Sequence, residues 1–360
     1  MSIVPSRLRT KLPATLLGIC VCCIPVVVFA LPSEQESELI PAVSALSPIS
    51  QEDPNLFLYR DACKQLLSLG LTEPQAAIIY TRIGPQLSEQ LQAGQLSLQT
   101  LLYLSLPNYH EDLSERYQSY AQEHSDLTAE EIVLAVNLGL DAPFYQDAVE
   151  VSSPFDDLVL VNKYHRLPAD YVPELVTLDP HYGVGSLTPE AADAFAQMAD
   201  AARQDGIRLR SVSAYRSYSH QSRLYRNYVA QNGQNLADTF SARPGYSEHQ
   251  TGLALDINTA STRSHFEQTA EFAWLSEHCT QYGFLLRYPQ GKESVTGYRF
   301  EPWHYRYVGV ETAQHCAELG LTYDEYIASQ NAPGPYALPK GANLQSPSCS
   351  SAMVQAKSSF

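Results

Sequence analysis

Positive charge is scarce in this chain. Its 360 residues carry 23 Lys and Arg against 39 Asp and Glu, for a formal net charge of −16. Nucleic-acid binding needs a basic stripe to neutralise phosphates, and the sequence offers none, which excludes that class. The acidic excess reads as a solubility device. Cysteine is sparse and unpatterned. Cys20, Cys22 and Cys23 lack a small residue just before them, which argues against a lipoprotein site. Cys63, Cys279, Cys316 and Cys349 match no zinc-knuckle spacing. Cys279 and Cys316 fall on two predicted helices; they either pair in an oxidising compartment or remain two buried thiols. Long apolar runs are missing too, apart from residues 16–29. That run follows Arg7, Arg9 and Lys11 and ends in Val28-Phe29-Ala30, small enough for a signal-peptidase cut. Residues 1–30 are therefore either a cleaved signal peptide or an uncleaved membrane anchor, the run falling just short of spanning length. Both readings export the rest of the chain.

What is present suffices for a folded protein. Hydrophobic residues make up 44% of the chain, enough for a core, and the length suits two domains. Residues 31–52, rich in Ser, Pro and Glu, read as a linker. Residues 53–150 turn helical. Thr72-Glu-Pro-Gln75 and Thr128-Ala-Glu-Glu131 are capping boxes, in which side chains satisfy the orphan amides of a helix start. Leu-Gly-Leu followed by Thr or Asp occurs at Leu69, Leu138 and Leu319. Each predicts a helix stopped by Gly and a new one started by a cap. This region holds no metal-ligand pair, no evident nucleophile and no basic face. His110 and His124 stand alone, as packed or surface histidines do. It is either a small helical domain that helps place the protein or a packing extension of the C-terminal half.

Residues 151–330 alternate between strand and helix signals. Residues 158–161 form a short apolar run predicted as a buried strand. Thr188-Pro189-Glu190 opens a capped helix whose inner face is Phe195, Met198, Ala199 and Ala202, stopped by Gly206. Residues 207–212 read as a strand ending just before Arg216. Ser217 or Ser219 caps the next helix, with Leu224 and Tyr228 facing inward. Ser264-His-Phe-Glu267 is a capping box for a helix reaching Tyr282, and residues 284–288 and 298–308 are strands. The mix predicts an α+β fold: a mainly antiparallel sheet flanked by helices, preceded by the all-helical region. Residues 331–360, rich in Pro and then Ser, read as a disordered tail.

The stretch from Ser241 to Asp256 carries the chemistry. It sets His249 and Asp256 seven residues apart, and from Gly252 onward it alternates as a strand with Leu253, Leu255 and Ile257 on one face and Ala254 and Asp256 on the other. A carboxylate on a strand beside an imidazole is half of a metal site. Glu301-Pro-Trp-His304 supplies a second imidazole. Two His and one Asp leave a fourth zinc position open, which is the arrangement of a catalytic rather than a structural zinc. Glu301 is then available as general base. The bland reading, a hydrogen-bonded surface His–Asp pair, does not account for a third ligand arriving beside a Glu. One tension remains, because on a straight strand Glu301 and His304 point to opposite faces. Pro302 must bend the chain between them, or Glu301 must reach round. Arg216 is the candidate to hold a tetrahedral oxyanion or a terminal carboxylate, tasks suited to a permanently charged planar fork. Trp303 either walls the pocket or belongs to the core.

Together Ser247-x-His249-x6-Asp256, Glu301-x-x-His304 and the preceding Ser213-Ala-Tyr-Arg-Ser-Tyr-x-x-Gln221 resemble the VanY-type D-alanyl-D-alanine carboxypeptidases. These are zinc peptidases of the superfamily that also holds lysostaphin-like endopeptidases and the hedgehog signalling domain. The resemblance covers roughly residues 156–310. It implies the same fold, one zinc per chain held by His249, Asp256 and His304, Glu301 as base, and Arg216 stabilising the reacting group. It places Gln221, Ser247 and Tyr298 at substrate-contact positions. Where the family often has Gly in its Ser-Gly-Tyr-Arg motif, this chain has Ala214. The expected function is an exported, monomeric D,D-carboxypeptidase that removes the terminal D-Ala of peptidoglycan stem peptides, touching a membrane only through an uncleaved N-terminal segment. An L,D-carboxypeptidase, a dipeptidase or an endopeptidase would use the same zinc motifs. A non-catalytic zinc-containing wall-binding or signalling module would not need Glu301 and Arg216.

Overall fold

The computed structural model describes residues 54–330. The predicted export segment, linker and tail, and Cys349, lie outside the described residues. No helix among the described residues is long and apolar enough to cross a membrane.

Among the described residues six helices come first: α1 Pro54–Ser68, α2 Glu73–Ile83, α3 Leu87–Gln92, α4 Leu98–Leu104, α5 Ser114–Glu123 and α6 Ala129–Asn137. Both predicted capping boxes form, Thr72 with Gln75 and Thr128 with Glu131. These helices enclose their own core, built from Leu66, Ile79, Leu87, Leu101, Tyr117 and Val133 among others. Gly70, Gly139 and Gly320 of the three Leu-Gly-Leu segments all take positive φ. A capped helix restarts after the first and third, but not after the second. There Asp141 is held by Arg116 at 2.6 Å, and the chain continues as turns. The helical region meets the rest through a seam in which Asn137 Nδ2 donates to the carbonyl of Ala328 at 3.1 Å, beside a small cluster of Leu138, Val295 and Ala328.

A four-stranded sheet carries the second part: β1 Arg210–Ser213, β2 Ala254–Asn258, β3 Phe284–Leu286 and β4 His304–Tyr307. Its order is β1-β2-β4-β3, and every pairing is antiparallel. The predicted α+β architecture holds. Helix α7, Pro189–Gln204, lays Phe195, Met198, Ala199 and Ala202 into the main core, against Leu253, Leu255 and Ile257 of the alternating stretch. Removing a large apolar side chain of this kind from water is worth roughly 1.5–3 kcal/mol, so this face anchors the sheet. The longer helices that follow are α8 Tyr218–Asn232, α9 Ala270–His278, α10 Val310–Leu319 and α11 Tyr323–Ser329, with single-turn helices at Gln234–Ala237 and Glu293–Thr296.

Several local expectations are corrected. Residues 159–161 are buried and Leu158 half-buried, but they form no strand, because side chains satisfy their backbone: Arg306 donates to the Val159 carbonyl at 2.8 Å, and the Tyr323 hydroxyl to that of Leu158. The α7 start is placed at Thr188 as read, but its hydroxyl makes no capping bond. The Ser264 capping box does not form. Thr269 caps α9 instead, accepting from the Phe272 amide, and the helix ends at His278 before a short 3₁₀ turn. Leu224 and Tyr228 of α8 are only half-buried, facing a cleft rather than the core. Cys279 and Cys316 are both free and buried, in two different apolar clusters, and burial pushes each thiol up to about 12.

Candidate active site

Asp256 and His304 are direct partners on the adjacent strands β2 and β4, so both side chains stand on the same face of the sheet. Asp256 Oδ1 lies 3.3 Å from His304 Nδ1 and 3.4 Å from His249 Nε2. His249 arrives from a 3₁₀ turn, Glu248–Thr251, stitched to the segment after β1 in both directions. Its Nδ1 bonds the Ala214 carbonyl at 2.7 Å, and the Arg216 amide donates to its own carbonyl at 3.0 Å. The two imidazole rings meet edge to face, with centroids 4.9 Å apart.

This geometry fits a metal. Four donors placed tetrahedrally at zinc–nitrogen and zinc–oxygen distances of about 2.05 Å stand about 3.3–3.4 Å from one another, which is the separation of the two pairs here. Asp256 Oδ1, where both contacts converge, is buried and accepts no hydrogen bond. A buried carboxylate oxygen without a donor calls for a cation. Among the described residues, His249, Asp256 and His304 are the one group of this kind.

The tension between Glu301 and His304 is resolved by the backbone. The His304 amide donates to the Glu301 carbonyl at 3.2 Å, closing a turn with Pro302 at its second position, where a fixed φ favours such turns. The strand begins only at His304, later than the predicted Tyr298. Both side chains therefore meet, with Glu301 Oε2 3.9 Å from His304 Nδ1. Burial raises the Glu301 carboxyl to about 7, against the pull of His304.

Arg216 reaches the other side. Its Nη1 donates to Gln221 Oε1 at 3.0 Å, its Nη2 donates to Ser213 Oγ at 2.9 Å, and Nη2 stands 3.8 Å from Asp256 Oδ2. Gln221 in turn donates to the Ala242 carbonyl at 2.7 Å. Its amide is thus occupied in holding Arg216, which differs from the substrate contact expected of it. Ala214, the departure from the family's Gly, points at Gly185, where an added Cβ would come within 2.6 Å of the Ala214 methyl. It does not line the cleft.

That cleft has a volume of about 310 Å³. It brings together all nine residues singled out in the sequence: Arg216, Gln221, Ser247, His249, Asp256, Tyr298, Glu301, Trp303 and His304. Tyr298 is buried, packed 4.8 Å from the Tyr288 ring, and Trp303 is half-buried and packed on the main core. Sequence reasoning missed Glu248, Arg299 and Tyr288 in the lining, and Arg287 and Arg306 behind it. A signal was available. Arg306 is a charge inside a largely buried strand and Arg287 one at the end of another, and such a charge requires an internal partner of opposite sign.

Comparisons with known proteins identify the family. The family model described as VanY, D-alanyl-D-alanine carboxypeptidase, matches residues 185–310. YodJ of Bacillus subtilis (strain 168), provisionally named a carboxypeptidase, is 39% identical over 52% of this chain and 75% of its own length. The bifunctional D-Ala-D-Ala dipeptidase and carboxypeptidase VanXYC of Enterococcus gallinarum is 34% identical over 47% of this chain and 92% of its own. The solved structure of the LdcB LD-carboxypeptidase is 39% identical, with a TM-score of 0.49, covering 51% of this chain and 92% of that one. The chain belongs to the VanY family of D-alanyl-D-alanine carboxypeptidases.

Proposed function

We propose that this protein is an exported zinc D,D-carboxypeptidase that hydrolyses the terminal D-Ala–D-Ala bond of peptidoglycan stem peptides. The observation that carries the reading is the convergence of two imidazoles and one carboxylate at 3.3–3.4 Å, with a buried carboxyl on one side and a guanidinium on the other. His249 Nε2, Asp256 Oδ1 and His304 Nδ1 would hold the zinc. When bound, it supplies Lewis acidity, which brings the pKa of a water to about 7. Glu301 takes the proton of the attacking water and passes it to the departing amine of D-Ala. Arg216, fixed by Gln221 and Ser213, faces the negative charge that develops on the carbonyl oxygen, or the substrate's terminal carboxylate. Ser247, Tyr298 and Trp303 line the space for the peptide. Every one of these groups comes from a single chain, so a monomer suffices. Export is supported by the basic start and apolar run of residues 1–30, and it would bring the enzyme to its substrate.

The test is D-Ala release by the purified protein from stem pentapeptide and tetrapeptide offered separately, with and without a chelator, beside Glu301→Ala. Pentapeptide cleavage that disappears on chelation and in the variant supports the proposal. Cleavage of tetrapeptide alone moves the activity to an L,D-carboxypeptidase with the same residues. Bound zinc with neither cleavage overturns the carboxypeptidase reading.

A further inference from the structure

Glu248 precedes His249 in sequence yet serves the other imidazole. Its Oε2 lies 3.4 Å from His304 Nε2, and neither atom has a hydrogen-bond partner elsewhere. Its Oε1 accepts from Arg287 Nε at 2.8 Å and from Arg306 Nη1 at 3.0 Å. Arg287 Nη1 continues to Asp324 Oδ2 at the start of α11, and Asp324 Oδ1 accepts from Asn162 Nδ2 at 2.8 Å. Arg306 Nη2 donates to the carbonyls of Asp157 and Val159. The side chains of Glu248, Arg287 and Arg306 have no exposure at all, and that of Asp324 has 2%. Two carboxylates and two guanidiniums balance in charge.

We propose that Glu248 is the positioning residue for His304, holding its ring so that Nδ1 rather than Nε2 is offered to the metal, and that Arg287, Arg306 and Asp324 hold Glu248 in place. The proposal rests on the reading of His304 as a ligand. An ionised carboxylate can only accept, so it selects the ring form with its proton on Nε2 and the free lone pair on Nδ1. That lone pair faces Asp256. Glu248 is not itself a fourth ligand, because it touches the edge of the ring opposite to the one facing Asp256. The network is poorly explained as a stability device, since desolvating four charges offsets most of what their pairing returns. Its product is orientation, as with the outer carboxylates that commonly back metal-bound histidines. His249 has the equivalent support from the Ala214 carbonyl. Asp324 lies beyond the family match, which ends at residue 310, so α11 becomes part of the active-site support.

The experiment combines ring NMR with zinc competition on the full chain. In the zinc-loaded wild type, nitrogen-15 spectra must show His304 Nδ1 bound to metal and Nε2 carrying a hydrogen-bonded proton. In Glu248→Gln, the amide oxygen goes to the two arginines and the NH₂ faces Nε2, favouring the wrong ring form. Zinc affinity, read against a chromophoric chelator, should then fall by roughly 10–100-fold. Asp324→Asn keeps Glu248 and should lower affinity in the same direction by less. Metal on Nε2 in the wild type, or Glu248→Gln within twofold of it, overturns the proposal. If Glu248→Gln does not fold, the wild-type ring assignment and Asp324→Asn still decide. A wild type that takes up no zinc overturns the ligand reading, and this proposal with it.

Discussion

Asp256 and His304 sit directly opposite each other on the two central strands of the sheet, and their donor atoms are 3.3 Å apart. Each strand is paired on both sides, so neither can slide without breaking two ladders. A slip of one residue would turn Asp256 into the core and bring Leu255 to the site, because successive side chains alternate faces. The separation of these two donors is therefore a property of strand register. Only His249 depends on a turn, and that turn is bonded to the segment carrying Arg216.

Replacing Glu301 by Gln should remove the proton acceptor while keeping the turn that places it. The expected result is a fall in kcat of roughly 10²–10⁴-fold with zinc content unchanged. Wild-type kcat/KM should rise with pH and level off at or below about 7, the value to which burial lifts the carboxyl. A base must be ionised to act, so activity is lost as pH falls through that value, and a bound cation can only move the limb lower. D-Ala release across pH 5–9, with metal analysis of both proteins, checks this. A variant that keeps most of its rate would remove Glu301 from the chemistry.

Much of this site was legible in the sequence, for identifiable reasons. Two alternating faces put Asp256 on a strand beside its apolar neighbours, and the capping boxes at Thr72 and Thr128 marked helix starts from local chemistry alone. What failed depended on distant partners in two cases and on a rival local cap in a third. Residues 158–161 have strand composition, but the side chains of Arg306 and Tyr323 take their carbonyls. The helix expected from Ser264 yields to Thr269, whose hydroxyl bonds the Phe266 carbonyl and caps the next segment. Glu248 was passed over between two recognised motif residues, since its partners lie 39 and 58 positions away.

Arg216 and Gln221 should behave as one unit. Arg216→Lys keeps the charge but cannot reproduce two bonds from a planar fork, to Gln221 Oε1 and Ser213 Oγ. A loss of roughly 10²–10³-fold in kcat is expected, of the size seen when an oxyanion donor is removed. Gln221→Ala should lose less, and the double variant should be no worse than Arg216→Lys alone, because the second change removes a support already lost. A fully multiplicative loss would show that Gln221 acts on substrate independently.

His165, which does not line the cleft, gives the folded chain a weakness towards acid. Its Nδ1 lies 2.9 Å from Asn162 Oδ1, and burial lowers its pKa from 6.5 to about 4, against the pull of Asp324. Above pH 6.5 the ring is neutral both folded and unfolded, and the folded state suffers no penalty. Between 6.5 and about 4 the unfolded chain takes up a proton that the folded chain refuses, so stability drains away as pH falls through this window. The difference amounts to on the order of 3 kcal/mol. A His165→Gln variant has no such proton to bind. Urea unfolding at pH 7 and pH 4 should therefore show the wild type losing more stability than the variant by about that amount. Parallel losses in the two proteins would mean that His165 is not the group that titrates.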